Sequence, residues 1–436
     1  MSKLKCGRNC KGAVVISSKP NAIVAQSGGP TAVINSSACG VIQEAVKSGR
    51  IGRVLGAANG ILGVLQEDLF DISAEKPETI EALKQTPAAA IGSCRYKLKS
   101  IEESKADFER VLDVFRAHNI HYFFYAGGND SMDTADKVNR LAADSGYELA
   151  CIGIPKTVDN DLAYTDHCPG YGSVAKYVAT CAMEAGRDTE ALYTHDTCTI
   201  VEVMGRNAGW IAAATGLAAR CSEDAPHLIY MPEASFSFEK FVSDVKEVHK
   251  EFSRVFIVAG EGLKNEKGKY ITADRGAFSE DSFGHVQLGG VADILKAVIE
   301  KEVGIKARCN KPGTNQRSAM HFASLTDVNE AYMCGQMAVK AAISGENGKM
   351  VTLVREEGGE YKCTTGLAKL RDVANGEKKV PANYINDRGN HITEACRDYI
   401  RPLIKGEAPI TIGEDGLPVF MRFERKLLQK KLPKYM

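Results

Sequence analysis

The chain lacks the features that mark several large classes of protein. Its 436 residues include 55 Lys and Arg against 55 Asp and Glu, so the formal charge is zero and nothing overall attracts the chain to a polyanion. Neither the Met1–Pro20 arm nor any later window approaches the about 18 consecutive apolar residues that a membrane span needs. We therefore expect a cytoplasmic protein that binds neither nucleic acid nor membranes.

Short signatures of metal and nucleotide binding are missing too. The 13 cysteines are scattered from Cys6 to Cys396 without a Cys-x-x-Cys pair, and the nine histidines show no ligand spacing, which indicates a reduced compartment and argues against a zinc site. No Walker-type glycine loop occurs, and the glycine pattern at residues 170–175 follows no predicted strand. Any metal should therefore be held by oxygen ligands.

What the chain does contain is a regular alternation of two kinds of segment. Short, almost wholly apolar runs precede polar turns and segments with a helical apolar period, which predicts an α/β fold with parallel strands buried on both faces. The predicted strands are Asn21–Ala25, Val54–Ala58, Tyr122–Ala126, Ala150–Pro155, Cys198–Met204, His227–Met231, Val255–Ala259 and Met350–Val354. The predicted helices are Thr31–Val46, Ser100–Ala117, Asp130–Ala142, Val174–Ala185, Gly209–Ala218, Phe238–Glu251, Val291–Glu302 and Asn329–Ile343. After Glu356 the alternation breaks, and we expect an appended C-terminal region with a helix near Ile392–Ile404.

In such sheets ligands bind beyond the carboxyl ends of the strands, so the loops that follow the strands are the candidate sites. Gly28 and Gly29 follow the first strand and would admit a phosphate at the start of the next helix, although a plain tight turn explains them equally well. Asp130 follows Gly127 and Gly128, where an ordinary helix N-cap is the simpler interpretation. Neither loop predicts a site by itself.

The loop from Pro155 to Asp161 is more informative. It places Lys156, Thr157, Asp159 and Asp161 within seven residues directly after a buried strand. A solvated turn needs no such density of charge. The set could supply a general base, a carboxylate that orients a metal and a cation that neutralises phosphate, which are the parts that phosphoryl transfer requires.

Later loops add further charged side chains. Arg206 follows one strand and Glu261 another, and each alone is more often structural. Arg308 and Arg317 lie nine residues apart and have the forked guanidinium that suits a phosphate ester, although a surface ion pair is the default interpretation of either.

In this order and context the loops resemble those of the phosphofructokinase family, from about residue 20 to residue 345. The resemblance implies transfer of a phosphoryl group to the 1-hydroxyl of fructose 6-phosphate, with Asp159 as the proton acceptor and Asp161 orienting metal and hydroxyl. The implied catalytic residues are Asp159, Asp161, Lys156 and Asp130. The implied donor-binding residues are Gly28, Gly29, Arg95, Asn129 and Ser131. The implied sugar-phosphate residues are Thr157, Met204, Gly205, Arg206, Glu261, Arg308, Thr314 and Arg317.

The resemblance also implies an architecture of two Rossmann-like α/β domains with parallel-rich sheets and a C-terminal extension. We expect an arm over residues 1–20, a donor-binding domain over 21–170, a sugar-phosphate domain over 171–345 and an extension over 346–436 that packs on both, with the chain crossing near 315–370. The family is usually dimeric or tetrameric, so we expect a homodimer or homotetramer in which a neighbouring subunit lends Arg308.

Two positions indicate the phosphoryl donor. Members that use pyrophosphate resemble this chain in having Asp130 and Lys156, where members that use ATP usually have glycine. A carboxylate beside the α-phosphate of ATP would cost about 4 kcal/mol at ~4 Å and an effective dielectric constant of about 20, which is on the order of a thousandfold in affinity. Lys156 can instead neutralise pyrophosphate. We expect pyrophosphate and fructose 6-phosphate as the substrates and a reaction that runs in both directions.

Three departures from the family pattern qualify these expectations. Asn129 stands where a magnesium-binding Asp is usual, so we expect Mg²⁺ as cofactor with Asn129, Asp130 and Asp161 as candidate ligands. Thr197 replaces an arginine that a neighbouring subunit often contributes. Arginines of the bacterial effector site are replaced by Cys39 and Gln43, and we expect no such site.

Three alternative functions remain at this point. The chain could be an ATP-dependent phosphofructokinase, or a pyrophosphate-dependent kinase for sedoheptulose 7-phosphate, because the arginines recognise a phosphate rather than the length of the sugar. It could also be a catalytically silent subunit that binds a sugar phosphate, although Asp159 and Asp161 argue against that.

Overall fold

The computed structural model describes residues 19–435 apart from 97, 101, 196 and 274–289, so nearly all of the predicted arm over residues 1–20 lies outside the described residues. The strands are β1 (Asn21–Gln26), β2 (Val54–Ala57), β3 (Leu69–Asp71), β4 (Ile120–Gly127), β5 (Ala150–Pro155), β6 (Cys198–Val203), β7 (Leu228–Tyr230), β8 (Val255–Gly260), β9 (Ala307–Asn310), β10 (Lys349–Arg355) and β11 (Cys363–Lys369). The helices are α1 (Ile34–Ser48), α2 (Ile61–Leu65), α3 (Pro77–Glu81), α4 (Lys105–Ala117), α5 (Asn129–Asp144), α6 (Tyr171–Ala191), α7 (Trp210–Thr215), α8 (Phe238–Phe252), α9 (Val291–Glu302), α10 (Asn315–Ser318), α11 (Leu325–Ile343), α12 (Leu370–Ala374) and α13 (Glu394–Ile400).

The strands form two mostly parallel sheets, which confirms the predicted α/β fold. The first sheet has seven strands in the order β11-β10-β5-β4-β1-β2-β3, and only its two edge pairs, β2 with β3 and β10 with β11, are antiparallel. The second has four parallel strands in the order β7-β8-β6-β9. As a consequence β1, β4 and β5 all end at one edge of the first sheet, and β6 and β8 end together in the second.

Both faces of each sheet are covered, as the near-continuous apolar runs predict. Neighbouring residues of β4 point into different cores: Phe123 belongs to the core on one face and Phe124 to the core on the other. In the second sheet Ile200 and Val201 divide in the same way. All four side chains are almost fully buried. Such burial on two sides leaves the strand ends as the places where polar side chains can gather.

All eight predicted strands are present, with ends that differ by at most two residues, and the predicted helices are present with larger shifts at some ends. The prediction missed β3, β9 and β11. The last is the clearest miss, because β11 lies after Glu356, in the stretch predicted to break the alternation, and pairs with β10 as an antiparallel hairpin. It is an edge strand whose residues are partly or fully exposed, so it carries no apolar run.

Residues 349–369 thus extend the sheet that residues 21–155 begin, while the strands of the second sheet come from residues 198–310. The expected division into domains stays a prediction. No helix in the described part of the chain combines the length and the apolar character of a membrane span.

A buried imidazole ties the hairpin region to α11. His167 Nδ1 lies 2.7 Å from Asp166 Oδ2, and its Nε2 lies 2.6 Å from Glu330 Oε2. Burial opposes a charge on this ring, but the hydrogen bonds to the two carboxylates outweigh it and raise the pKa of His167. Arg355 also pairs with Asp166 at 3.1 Å, and Tyr361 donates to Glu330 at 2.6 Å.

We predict that His167→Gln lowers the free energy of unfolding by about 3 kcal/mol, because removing one partner of a buried ion pair leaves the other uncompensated. A raised folded pKa means that this stabilisation is complete below the ordinary pKa of about 6.5 and is lost as the pH rises through the folded value. Denaturant unfolding should therefore show a larger loss of unfolding free energy in His167→Gln, relative to wild type, at about pH 6 than at about pH 9. His195→Gln, at an exposed imidazole, is the control. A loss of unfolding free energy in His167→Gln that grows with pH would contradict a raised pKa of His167.

Candidate active site

A cleft of about 540 Å³ lies where the carboxyl ends of the two sheets face each other. Most of the side chains that the sequence singles out line it. They are Gly28, Gly29, Arg95, Asn129, Asp130, Ser131, Lys156, Thr157, Asp159, Asp161, Met204, Arg206, Glu261 and Arg317. The first sheet supplies the loops after β1, β4 and β5, and the second supplies those after β6 and β8, so the cleft forms only when both sheets are folded.

Two positively charged side chains from other parts of the chain contact the backbone of the loop after β1. Gly28 has φ +75°, a conformation that favours glycine, and a Cβ added there would lie 3.2 Å from Lys156 Nζ. Lys156 Nζ donates to the Gly29 carbonyl at 2.8 Å. On the other side, the Arg317 guanidinium lies over Gly29, since a Cβ there would be 3.0 Å from Nη1. Two cations therefore lie against the backbone of two residues that have no side chain of their own.

The loop after β5 holds two carboxylates around a buried amide. Asn160 is fully buried and has φ +53°, and its side chain accepts from Cys168 N at 3.0 Å and donates to Tyr399 OH at 3.1 Å. Because Asn160 is anchored inward, its neighbours Asp159 and Asp161 both line the cleft. Thr157 Oγ1 accepts from Asp159 N at 3.1 Å and closes the turn.

Crowding of like charges away from water changes the acidity of these groups. Desolvation, with the negative charges of Asp161 and Glu261, raises the pKa of Asp159 to about 7. Desolvation also raises the pKa of Asp161 and Glu261. Burial lowers the pKa of Lys156 to about 8, against the opposing pull of the two aspartates. A carboxyl group with a pKa near neutrality is suited to accept and return a proton.

Hydrogen bonds to its backbone join the loop after β6 to the loop after β8 and to α10. Gly205 N donates to Glu261 Oε1 at 3.4 Å, and Met204 N donates to Gln316 Oε1 at 3.1 Å. These bonds hold the loop after β6 against the loop after β8 and against α10, which carries Arg317. Arg206 and Arg317 thereby line one cleft with Glu261.

The donors present fit a hard divalent cation. The carboxamide oxygen of Asn129 is buried in the wall of the cleft and has no hydrogen-bond partner among the described residues. The carboxylates of Asp130 and Asp161 line the same cleft. Amide and carboxylate oxygens are the ligands that Mg²⁺ takes, and the unpartnered amide oxygen is the position where such an ion would relieve a polar group without a partner.

A different cluster has the residue types and the spacing of metal ligands, but its groups are already paired with one another. In the described part of the chain, ligand atoms of His167, Glu330 and Cys363 lie within 4.8 Å of one another. Both nitrogens of that histidine already face carboxylates, with Asp166 on the second side. The cluster is therefore satisfied as an ion pair and not as a metal site.

Three of the residues singled out from the sequence do not line the cleft of this chain. Gly205 lies just behind it and contributes the backbone bond to Glu261. Thr314 precedes α10 and is exposed. Arg308, on β9, donates to Asp188 at 2.8 Å and faces another part of the surface.

The sequence analysis missed two polar residues of the cleft, Asn207 and Glu377. Asn207 directly follows Arg206, so the same loop pointed to it. Glu377 has no local signal, because it follows α12 in the region where the alternation breaks, far along the chain from Asp161.

Comparison with known proteins gives consistent results. The family model described as Phosphofructokinase matches residues 21–342. A relative from Xanthomonas campestris pv. campestris, named pyrophosphate--fructose 6-phosphate 1-phosphotransferase, is 49% identical over 95% of this chain and 98% of its own length. The crystal structure of a pyrophosphate-dependent phosphofructokinase from Marinobacter aquaeolei is 45% identical, covers 96% of this chain and 99% of that chain, and has a TM-score of 0.87. A protein from Alkalicoccus urumqiensis named sulfofructose kinase is 35% identical over 84% of this chain and 92% of its own length.

We predict that the Asp159 carboxyl group takes up a proton near neutral pH in the metal-free protein, because burial and neighbouring carboxylates raise its pKa to about 7. Infrared difference spectra between about pH 6 and pH 8 should contain a protonated-carboxyl band that is absent from Asp159→Asn. Asp398→Asn, at an exposed carboxylate, is the control. Identical spectra for the wild type and Asp159→Asn would refute the assignment.

Proposed function

The chain belongs to the phosphofructokinase family, and we propose that it transfers a phosphoryl group from pyrophosphate to the 1-hydroxyl of fructose 6-phosphate. The products are fructose 1,6-bisphosphate and phosphate, and the reaction runs in both directions. The relatives and the solved structure at 45–49% identity that span almost all of this chain carry names for this activity.

The observation that supports pyrophosphate as the donor is the position of the Lys156 ammonium on the Gly29 carbonyl. It occupies the space between the loops after β1 and β5, where a nucleotide would continue beyond its outer phosphates. Asp130 on the neighbouring loop adds a negative charge that opposes an α-phosphate. Two linked phosphates fit beside the lysine, and a longer donor meets both obstacles.

In the proposed reaction the 1-hydroxyl oxygen attacks the terminal phosphorus of pyrophosphate in line with the bridging oxygen. The new O–P bond forms as the bridging P–O bond breaks, Asp159 accepts the hydroxyl proton, and phosphate leaves. Lys156 and Arg95 spread the negative charge of the transferring group. Most of the acceleration then comes from position and preorganised charge.

Magnesium completes this charge balance when it is bound. We assign Asn129, Asp130 and Asp161 as its ligands in this chain, on the strength of the unpartnered Asn129 oxygen. A bound Mg²⁺ would supply positive charge that offsets the charge of the transferring group. Asp161 also orients the acceptor hydroxyl group toward Asp159.

The sugar phosphate lies against the second sheet in this proposal. Glu261 accepts from the sugar hydroxyl groups, with Met204 beside it, and Arg206 and Arg317 face the acceptor side of the cleft. Arg308 lies outside the cleft of its own chain and is one-third exposed, which suits an arginine that completes the 6-phosphate site of a neighbouring subunit. The proposal therefore includes a homodimer or homotetramer.

The test of the donor is a coupled assay with fructose 6-phosphate and either pyrophosphate or ATP. We expect turnover with pyrophosphate and an efficiency with ATP about a thousandfold lower, because about 4 kcal/mol of repulsion opposes the nucleotide. The double variant Asp130→Gly/Lys156→Gly should lose turnover with pyrophosphate and gain turnover with ATP. Robust wild-type turnover with ATP and none with pyrophosphate would overturn the donor. Sedoheptulose 7-phosphate serves as the second acceptor, and a preference for it would overturn fructose 6-phosphate.

The test of the base is Asp159→Asn, which keeps the shape of the side chain but cannot take the proton. We expect kcat to fall about a thousandfold, within the usual range for a general base, while KM for both substrates stays within about threefold. Steady-state kinetics in both directions measure this. Near-normal turnover would remove Asp159 from the role.

A further inference from the structure

The segment 375–380, which follows α12, bridges the two edges of the cleft. The backbone N–H of Lys378 donates to the Asp161 carbonyl at 2.7 Å, and the Lys378 carbonyl accepts from the Trp210 indole at 3.1 Å. Trp210 begins α7, directly after the loop that carries Arg206. One residue of the C-terminal region is thus fastened both to the loop with the catalytic carboxylates and to the sugar-phosphate loop.

A second bond beside this bridge reinforces it. The carboxylate of Glu233 accepts from Val380 N at 2.9 Å and from Gly209 N at 2.9 Å. The segment therefore cannot shift relative to the start of α7 without breaking hydrogen bonds at both Lys378 and Val380.

The side-chain ammonium of Lys378 uses its three N–H groups in hydrogen bonds to residues on the side of the first sheet. Its Nζ donates to Asn160 Oδ1 at 3.2 Å, to the Thr165 carbonyl at 3.2 Å and to the Asp166 carbonyl at 2.7 Å. An ammonium has three donors, so all are used, and all three acceptors are neutral oxygens. Glu377 lines the cleft, whereas Lys378 is turned onto these oxygens and does not.

These hydrogen bonds hold Asn160, the residue that sets the direction of the two carboxylates. Asn160 stands between Asp159 and Asp161 and has a positive φ, so its backbone needs support from its surroundings. Lys378 provides that support twice, through the Asn160 side chain and through the Asp161 carbonyl. Tyr399, from α13, adds a third bond.

The hydrogen bonds of Lys378 do not explain why its side chain is charged. Its three neutral acceptors would also accept from an uncharged donor, and burying an uncharged donor costs less desolvation energy. Asp166 and Asp161 are the aspartates that interact with it electrostatically. Asp166 is already paired with Arg355 and His167. The negative charge that remains for Lys378 to offset is that of Asp161.

We propose that Lys378 is a positioning residue for the phosphoryl transfer, which holds the loop of Asp159 and Asp161 in place through Asn160 and offsets the charge of Asp161. The inference rests on the proposed function. Because Lys378 touches neither substrate, its loss should reduce turnover and leave substrate binding nearly unchanged.

The experiment compares Lys378→Met, Lys378→Arg and the control Lys379→Met in steady-state kinetics. Lys379 is the next residue and more exposed, with an ion pair of 3.9 Å to Glu377, so its loss removes the same charge from the same segment without touching Asn160. We expect kcat of Lys378→Met to fall about 10- to 100-fold, the usual effect of losing a group that supports a catalytic ligand, with KM within about threefold. Lys378→Arg, which keeps the charge, should recover to within about fivefold of wild type, and Lys379→Met should equal wild type.

Fluorescence separates positioning from a loss of structure, because Trp210 is the one tryptophan of the chain and bonds to the Lys378 carbonyl. An emission maximum in Lys378→Met equal to that of wild type, together with the fall in kcat, supports the proposal. A red-shifted emission and a loss of activity in both Lys378 variants would show a structural anchor only and overturn it. Unchanged kcat, or an increase in KM alone, would also overturn it.

The same assay distinguishes this inference from the proposed function. All variants are measured with whichever donor the wild type uses, so a wrong donor leaves the comparison intact. A wild type without turnover on either donor refutes the proposed function and this inference with it. Full activity in the wild type and in Lys378→Met refutes the inference alone.

Discussion

The parallel pairing of β1 with β4 and of β4 with β5 is the constraint on which the cleft depends. Because neighbouring parallel strands end at the same edge, the loops after them open side by side, and the glycines, the amide and the lysine-aspartate loop meet although they come from distant parts of the chain. The second sheet faces this edge with the loops after β6 and β8. Each sheet supplies only part of the lining, so the cleft lies between them.

This arrangement concentrates charge where water is scarce, and the molecule balances it locally. Lys156 and Arg317 stand against the Gly28-Gly29 backbone, and Asp159 and Asp161 line the same cleft. Desolvation alone would neutralise these groups, and their pKa values move toward one another for that reason. A carboxyl group with a pKa near neutrality, beside a cation of reduced pKa, is suited to exchange a proton.

Elements and residues could be predicted from the sequence where their signal lies within a short stretch of chain. The eight strands were found because burial on both faces requires apolar runs that are visible locally. The loop from Lys156 to Asp161 was found because four charged or polar side chains that could serve phosphoryl transfer occur within a few residues. β11 was missed because an exposed edge strand needs no apolar run. Lys378 was missed because its partners, Asp161 and Asn160, are distant in the chain, and Glu377 was missed because the other residues of the cleft are distant from it too. Resemblance to a family added the roles of residues that the pattern alone left open, and Arg308 and Thr314 still lie outside the cleft of this chain.

By itself, then, the sequence determined the α/β class, the strand-end positions of the loops and the chemistry that each loop carries, since these depend on local periodicity and on residue type. The tertiary structure decided which loops meet, how the Lys156 ammonium comes to rest on the Gly29 carbonyl, and that the segment 375–380 fastens the loop after β5 to the start of α7. These are contacts between residues far apart along the chain. Their geometry depends on sheet order and packing, which no local pattern encodes.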